Sequence, residues 1–471
     1  MLFSSIVFIY LFLPAVVLVY FVLLRNHRSA QNCFLFIASL FFYAWGEPKF
    51  VLILILSIVI NWLIGLCMDS RANTVFRKIL FVCSIVFDLG ILFVFKYLTF
   101  TGRVANRFLG TAFNIPSIVL PIGVSFFTFQ ALSYVIDVFR GDQKAQKNPL
   151  NVGLYIAFFP QLIAGPIVRY GDIAKQIQNR KETPDDVFDG FARFVAGLAK
   201  KVLLANTLAV FADKAFSLGS SGNALSCGFA WLGLSGYVLQ LYFDFSGYSD
   251  MAIGLGRMFG FHFQENFNYP FMSDSISEFW RRWHISLGSW FRDYVYIPMG
   301  GNRRSRFRNV FNLFVVWALT GFWHGANYTF ILWGLYFFAL ILFERAVGLN
   351  KPSAGRVPVL RRIYSVFFFI LSFSLFRSDS VGAAVNYLKC LFHFNGNHVI
   401  DGIFTGYFKQ NIIIIIVGIL VCTPLPKKII NRMKHRNASD FIRVLCLMGL
   451  FLLSTASIVS GSYNPFIYFN F

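Results

Sequence analysis

Two histidines, His284 and His324, lie in stretches of the sequence that are rich in apolar and aromatic residues. An ionisable side chain in apolar surroundings is costly to keep there, so it usually has a function. Burial disfavours the imidazolium cation, and a buried histidine therefore stays neutral and able to accept a proton. Such a group can act as a general base toward a hydroxyl. These two side chains are the first candidates for chemistry.

The surroundings of His324 favour a functional side chain. It lies in the run VVWALTGFWHGANYTFILWG (315–334), which predicts an apolar helix broken at Thr320-Gly321. The polar side chains of this run share one face of a helix: Thr320, His324, Asn327 and Tyr328. Gly321 and Gly325 keep the backbone narrow and leave room for a neighbouring helix or a substrate. A structural histidine whose hydrogen bonds are satisfied is the alternative.

A second polar cluster lies in YFDFSGYSDMAIGLGRMFG (242–260). Two pairs of its residues are four positions apart and so share a helix face: Asp244 with Tyr248, and Ser246 with Asp250. Carboxylates in membrane helices usually find structural partners, so we expect interhelical hydrogen bonds here and not direct chemistry. The glycines lack the spacing and the preceding strand of a nucleotide fingerprint. Gly256 and Gly260 indicate close helix packing instead.

A third cluster, from Ser275 to Arg308, is rich in Trp and Arg and too charged to be an ordinary membrane span. It predicts an amphipathic helix at the membrane interface. Three tryptophans suit the headgroup level, where one edge of the ring stays hydrated: Trp280, Trp283 and Trp290. Glu278 and Arg282 are four apart and are expected to pair. His284 is the exception, because an interfacial anchor does not need an imidazole.

The composition sets the environment in which these residues act. Of the 471 residues, 57% are hydrophobic and only 13% are charged, whereas soluble domains carry about 25% charged residues. The chain is therefore predicted to be an all-α, polytopic membrane protein forming a single domain over residues 1–471. Its apolar runs predict about 10 to 13 membrane-embedded helices. The first run, Leu2 to Leu24, lacks the basic start and cleavage site of a signal peptide and is expected to remain as a span.

The charge pattern predicts the orientation. The chain has 42 Lys and Arg against 21 Asp and Glu, a formal net charge of +21, and basic residues accumulate in cytoplasmic loops. A basic loop precedes the last apolar run: Lys427, Lys428, Arg432, Lys434, Arg436 and Arg443. We expect this loop in the cytoplasm and the aromatic tail, residues 459–471, on the extracytoplasmic side. The sequence shows no soluble basic face of the kind that binds nucleic acid, so nucleic-acid binding is not expected.

Several kinds of site have no support in the sequence. The seven cysteines lie singly, without a CxxC pair, so neither a zinc site nor a redox dithiol is indicated. HExxH, GxSxG and P-loop motifs are absent from the sequence. We therefore expect no metal, no bound cofactor and no serine hydrolase.

At these residues the sequence resembles the membrane-bound O-acyltransferase (MBOAT) family, in particular its bacterial branch of alginate and peptidoglycan O-acetyltransferases. Six blocks of the sequence show the resemblance, in order: PIGVSFFTFQALSYVIDVFRG (121–141), FPQLIAGPI (159–167), YFDFSGYSDMAIGLGRMFGF (242–261), ENFNYPF (265–271), EFWRRWHISLGSWFRDYVYIPMGGNR (278–303) and GFWHGANYTFILWG (321–334). The resemblance implies a ring of membrane helices around a central funnel and a narrow tunnel.

The same resemblance implies roles for single residues. His324 matches the invariant histidine of the family, and His284 matches its second histidine or asparagine position. We expect His324 to be the general base and His284 to orient the donor or stabilise the oxyanion. Trp323 and Asn327 are candidate substrate-binding residues. Four arginines are candidates for the phosphates of CoA or, equally, ordinary cytoplasmic charge: Arg281, Arg282, Arg303 and Arg304.

The resemblance also implies a donor, a route and partners. Acetyl-CoA is the implied donor, a cell-surface polysaccharide the acceptor, and a bacterial inner or plasma membrane the location. The final residues FIYFNF (466–471) fit the FxYxxF ending of this branch. Tyr468 is then a candidate transient acceptor that passes acetyl to an extracytoplasmic SGNH-type transferase. The alternative is an aromatic tail that lies at the membrane–water interface.

Other functions remain open at this point. Many helices with central polar groups also suit a transporter or flippase for a polysaccharide or lipid-linked sugar. D-alanyl transfer to a wall polymer would use the same family outline. A scaffold that only recruits the partner is a third possibility, and it predicts that replacing His324 has no effect.

Overall fold

The structure of the protein is a computed structural model. It describes residues 1–69, 74–116, 118–220, 225–351, 358–433, 439–461 and 463–465. Within these ranges the regular secondary structure is helical, and β-pairing is confined to one isolated antiparallel bridge between Phe267 and Trp283. The all-α prediction is confirmed.

Several of the helices are membrane-spanning candidates. Seven helices of the described ranges are apolar and long enough to cross a membrane: Val51–Asp69, Thr74–Leu109, Pro184–Gly219, Tyr328–Val347, Val359–Arg377, Gly402–Val421 and Asp440–Ser460. A shorter apolar helix covers Phe8–Leu23. The prediction of a polytopic membrane protein is confirmed, since each of the seven has at least 19 residues and a bilayer requires roughly 20.

One compact unit contains residues 1–197 and 248–264. Its α-helices are α1 (Leu13–Leu18), α2 (Arg28–Ala44), α3 (Val51–Asp69), α4 (Thr74–Leu92), α5 (Leu98–Leu109), α6 (Val124–Arg140), α7 (Pro149–Ala157), α8 (Phe159–Leu162), α9 (Tyr170–Asn179) and most of α10 (Pro184–Ala199). Gly190 of α10 and Gly254 pack so closely that a Cβ atom on either would meet the other's carbonyl oxygen at 2.6 or 2.5 Å.

The other compact unit contains residues 198–247 and the described part of 265–467. Its α-helices are α11 (Asn206–Ser220), the first part of α12 (Cys227–Met258), α13 (Ile276–Arg282), α14 (Ile285–Phe291), α15 (Arg306–His324), α16 (Tyr328–Val347), α17 (Pro358–Arg377), α18 (Val381–Leu391), α19 (Gly402–Val421), α20 (Leu425–Met433) and α21 (Ser439–Ser460). Both candidate histidines belong to this unit.

Short π-helical segments connect several of these helices. They are Phe8–Phe12, Val19–Leu23, Phe93–Tyr97, Lys200–Ala205 and Arg292–Tyr296. The segment Lys200–Ala205 joins α10 to α11, so that one continuous helix covers Pro184–Gly219. Single-turn π-bulges of this kind are frequent at functional sites. One 3₁₀ turn, Pro270–Met272, precedes α13.

Candidate active site

His324 is the last residue of α15, at the tip of a helical hairpin. The helix runs without a break through Thr320-Gly321 and ends because Gly325 adopts an extended conformation, with φ −176° and ψ 154°. Asn327 then begins α16: its Oδ1 accepts from the Thr329 backbone N–H at 3.2 Å. The prediction of a break at Thr320-Gly321, with Asn327 on the helix face of His324, is wrong. A strong helix cap lies three residues after His324 and outweighs the continuous apolar pattern.

Glycines let α15 and α16 approach closely around this tip. A Cβ on Gly321 would lie 2.4 Å from the carbonyl oxygen of Phe330, and one on Gly334 would lie 2.4 Å from that of Trp317. A Cβ on Gly325 would lie 2.2 Å from the Phe330 ring. Of the two uses predicted for the narrow backbone, a neighbouring helix is therefore the one found, since helices with small residues pack backbone to backbone.

The imidazole of His324 is enclosed by aromatic rings and is 5% exposed. Three rings contact it edge-on, with centroid distances of 5.0 Å for Trp323, 5.1 Å for Trp333 and 5.2 Å for Phe376. Aromatic pairs prefer this geometry because the positive edge of one ring meets the negative face of the other. Packing of this kind fixes the plane of the imidazole. In water-poor surroundings the neutral form is favoured, as a general base requires.

His284 is held in a quite different way, in a turn between α13 and α14. Its backbone is left-handed, with φ 46° and ψ 51°, a conformation that costs a non-glycine residue about 1–3 kcal/mol. The turn persists because Asn266 fixes both ends of it: the Ile285 N–H donates to the Asn266 carbonyl at 3.0 Å, and the Ser286 N–H donates to its Oδ1 at 3.2 Å. Strain of this kind clusters at functional sites.

The hydrogen bonds around His284 determine which ring nitrogen carries the proton. Nδ1 lies 3.2 Å from Asn266 Oδ1. That atom also accepts from the Ser286 N–H, which can only donate, so it is an oxygen and Nδ1 must be the donor. In the neutral ring Nε2 is then an acceptor. It is buried and has no hydrogen-bond partner among the residues that the structure describes. Burial lowers the pKa of His284 to about 3, so this neutral form persists.

Trp323 brings the two histidines together. Its ring contacts His324 at 5.0 Å and His284 at 5.9 Å between centroids. Phe245 of α12 also packs on the His284 imidazole, with 4.6 Å between the ring centroids. The sequence predicted both histidines and Trp323 as site residues, and the structure places them in one aromatic cluster. Asn266, Trp333 and Phe376 also shape this cluster and were missed, because none of them stands out by type or spacing.

Asn327 has structural partners at both ends of its side-chain amide. Oδ1 caps α16, and Nδ2 donates to the carbonyl oxygen of Asp379 at 2.8 Å. Substrate binding by Asn327, the use predicted for it, stays a prediction. Its bond to Asp379 ties the hairpin tip to the residues that follow α17, three positions beyond Phe376.

The carboxylates of α12 pair with cations, as expected. Asp244 lies 2.8 Å from Lys201, and Asp250 lies 2.8 Å from Arg193. The prediction of interhelical partners is confirmed for both. Lys201 was missed by the sequence analysis, although a lysine inside the apolar run 191–211 is the kind of residue that signals a partner.

The stretch after Ser275 is only partly an interfacial element. The predicted ion pair is confirmed, with Arg282 2.6 Å from Glu278, whereas Arg281 is exposed, as are Arg303 and Arg304. The headgroup position predicted for the tryptophans is wrong for Trp283 and Trp290, each 5% exposed. Trp280 also packs inside, 5.1 Å from Trp317 and 5.5 Å from Trp333 between centroids. Trp280 and Trp283 pack among aromatic rings on either side of the α13–α14 turn, and their burial stabilises the fold more than a position at the interface would.

Two further predictions concern a metal and the tail. Among the described residues, His, Cys, Asp and Glu side chains form no group of three that could hold a metal ion. Tyr468 lies outside the described residues, and the tail is described only at 463–465 of its last nine positions. There Tyr463 O–H donates to Asp213, and Lys201 donates to the Pro465 carbonyl.

The sequence is similar to a known protein family and to named bacterial proteins. The model of the MBOAT, membrane-bound O-acyltransferase family, matches residues 37–383, which include both histidines. The chain is 43% identical to the "Probable alginate O-acetylase AlgI" of Pseudomonas aeruginosa over 84% of this chain and 75% of that protein. A protein of the same description from Pseudomonas putida is 38% identical over the whole of both chains.

A third relative acts on a different polymer by name. The "Peptidoglycan O-acetyltransferase" of Helicobacter pylori is 31% identical over all of this chain and 98% of its own length. The match to the family model covers most of the chain, and these relatives extend it to the full length. The chain therefore belongs to the membrane-bound O-acyltransferase family and is a multi-pass membrane O-acyltransferase.

Proposed function

We propose that this protein takes acetyl from cytoplasmic acetyl-CoA and delivers it for O-acetylation of a cell-surface polysaccharide. The observation that supports this most is the pairing of two buried histidines through Trp323, inside the region that matches the family. Full-length relatives named as alginate and peptidoglycan O-acetyltransferases support acetyl as the group transferred. A surface polysaccharide is the acceptor class that these two names share.

His324 is the general base of the proposed reaction. The acceptor oxygen bonds to the thioester carbonyl carbon while its proton passes to the imidazole. The carbon–sulfur bond then breaks, and the imidazolium returns the proton to the sulfur, which leaves as the CoA thiol. The enclosing aromatic rings keep water from competing as an acceptor, and they hold the neutral imidazole that this proton transfer requires.

His284 is the orienting residue in this proposal. With Nδ1–H engaged by Asn266, Nε2 offers a lone pair and cannot donate to an oxyanion. Of the two roles predicted for this residue, geometry therefore favours orientation: Nε2 accepts a hydrogen bond from an N–H or O–H group of a bound substrate. A hydrogen bond from substrate would also satisfy a buried acceptor that costs free energy when left alone.

The direction of transfer is inferred from charge. The helix α15 starts at Arg306 beside a run of arginines, and by the positive-inside rule this charge supports a cytoplasmic start of the helix. Its 19 residues extend about 28 Å, close to the bilayer core of about 30 Å. His324 is thus nearer the extracytoplasmic end, where the tail is expected. Tyr468 would receive acetyl there and pass it to the SGNH-type partner.

The test uses purified protein in liposomes with radiolabelled acetyl-CoA. We expect acetyl to appear on the protein and Tyr468→Phe to abolish it, because the substitution removes only the nucleophilic oxygen. Tyr10→Phe, at an exposed tyrosine, is the control and should label normally. Label on the Tyr468→Phe protein would refute the relay, and an unlabelled wild-type protein would refute the acetyl donor. D-alanyl thioester turnover, or lipid-linked sugar transport without acetyl-CoA turnover, would replace the proposal by one of the alternatives.

A further inference from the structure

Three consecutive residues of the tail contact one helix at successively deeper positions. Tyr463 O–H donates to Asp213, Asn464 Oδ1 accepts from Asn206 at 3.3 Å, and the Pro465 carbonyl accepts from Lys201. The helix residues contacted, 213, 206 and 201, lie progressively closer to the start of this helix. The described part of the tail therefore runs antiparallel to the helix, from the half-buried Asp213 towards the buried Lys201.

Lys201 is buried to an unusual degree for a lysine. Its side chain is 2% exposed, and that of its partner Asp244 is 1% exposed. The Asp244 carboxylate pairs with its ammonium as an ion pair, with 2.8 Å between Nζ and Oδ1. The ammonium also donates hydrogen bonds to Asn206 Oδ1 at 2.9 Å and to the Pro465 carbonyl of the tail. Buried ion pairs are stable only when such additional hydrogen bonds are present.

The ion pair and the aromatic cluster involve adjacent residues of α12. Asp244 precedes Phe245 in α12, and the Phe245 ring is 4.6 Å from the His284 imidazole. The ammonium thus holds the backbone of the tail at Pro465.

We propose that Lys201 is a positioning residue that anchors the C-terminal tail for acyl transfer, with Asp244 fixing its ammonium and Asn206 joining it to Asn464. This inference rests on the proposed function, because it gives the tail a part in the reaction. Tail contacts at the half-buried Asp213 and Asn206 set the direction, whereas the buried Lys201 sets the depth.

The test measures release of the tail directly. Hydrogen exchange of the C-terminal peptide is followed by mass spectrometry in the full-length protein and in the double variant Lys201→Met/Asp244→Leu, which removes both buried charges together. We expect exchange in the tail peptide to rise at least fivefold and acetyl transfer to fall at least tenfold. The matched control is Arg193→Met/Asp250→Leu, which deletes another ion pair of α12 and should leave tail exchange unchanged.

A conservative variant separates anchoring from loss of fold. Lys201→Arg keeps the charge and N–H donors and should retain tail protection and most of the transfer, even if the double variant is poorly folded. Unchanged tail exchange in a folded double variant would overturn the anchor. A released tail with unchanged transfer would overturn the positioning role. Failure of the proposed relay is read separately, from Tyr468→Phe, in which Lys201 and tail protection are intact.

Discussion

The two histidines occupy one cluster but are held by opposite means. His324 ends a long helix, and aromatic rings enclose its imidazole. His284 lies in a strained turn, and the amide of Asn266 holds its ring through a hydrogen bond. Packing restrains the plane of a ring but not its proton, whereas a hydrogen bond fixes the proton too. The difference suits one histidine that exchanges a proton and another that keeps its protonation fixed.

The largest effect is expected from His324→Ala. Loss of a general base lowers the rate by about 10²- to 10⁴-fold, and polymer acetylation in cells producing the variant should disappear. His262→Ala, at an exposed histidine, is the matched control and should acetylate normally. Normal acetylation by a folded His324→Ala protein would contradict the general-base role and favour the scaffold hypothesis.

Asn266→Ala tests the hydrogen bond that holds the ring of His284. It removes the acceptor that fixes Nδ1–H of His284, so both tautomers become accessible and a buried donor loses its partner. We expect the acetyl-transfer rate to fall about tenfold, the equivalent of about 1.4 kcal/mol in the barrier. Ser286→Ala removes one donor to Asn266 Oδ1 and a long contact of 3.5 Å with His284 Nδ1, and it should cost less than about twofold in rate, since the shorter His284–Asn266 bond remains. Equal rates in the two variants would argue against a fixed tautomer.

Gly321→Ala tests the packing that restrains His324. The added methyl would lie 2.4 Å from the Phe330 carbonyl, and overpacking of this kind costs about 1–3 kcal/mol. A lower midpoint of thermal unfolding in detergent is expected, with a matching fall in activity. Gly449→Ala, on α21 where a Cβ meets nothing within 4 Å, should leave both unchanged. An unchanged midpoint in Gly321→Ala would mean that the hairpin is looser than the structure implies.

The smallest effect is a pH dependence of stability due to His284. Its pKa is about 3 in the folded protein and about 6.5 when unfolded, so the unfolded state binds the proton more tightly. Stability is then greatest above pH 6.5 and falls between pH 6.5 and 3, on the order of 1 kcal/mol per unit. His284→Asn, which tolerates the left-handed backbone, should lose this slope. The midpoint of thermal unfolding of the wild-type protein and of His284→Asn, measured from pH 7 to pH 5, tests this prediction. Identical pH slopes in the two proteins would contradict a buried neutral ring at His284.

Sequence alone predicted much of this molecule because its strongest patterns have a single physical cause. Apolar length predicted the membrane helices, spacing of four predicted the Glu278–Arg282 pair, and apolar surroundings identified His324. The end of α15 at His324 was not predictable, because it depends on the Asn327 cap and the extended Gly325. Burial of Trp283 was likewise hidden, since an amphipathic, Trp-rich sequence suits an interface and an aromatic core equally well. The role of Lys201 was not predictable either, because Asp244 and Pro465, two of its partners, are distant from it in the sequence.

The most direct test of the account is a structure of the protein bound to a non-reactive thioether analogue of acetyl-CoA. We predict that the carbonyl group of the analogue lies beside the imidazole of His324. An N–H or O–H of the bound molecule should donate to Nε2 of His284. An analogue whose acyl end lies away from both imidazoles would contradict the assignment of this aromatic cluster as the site of acyl transfer.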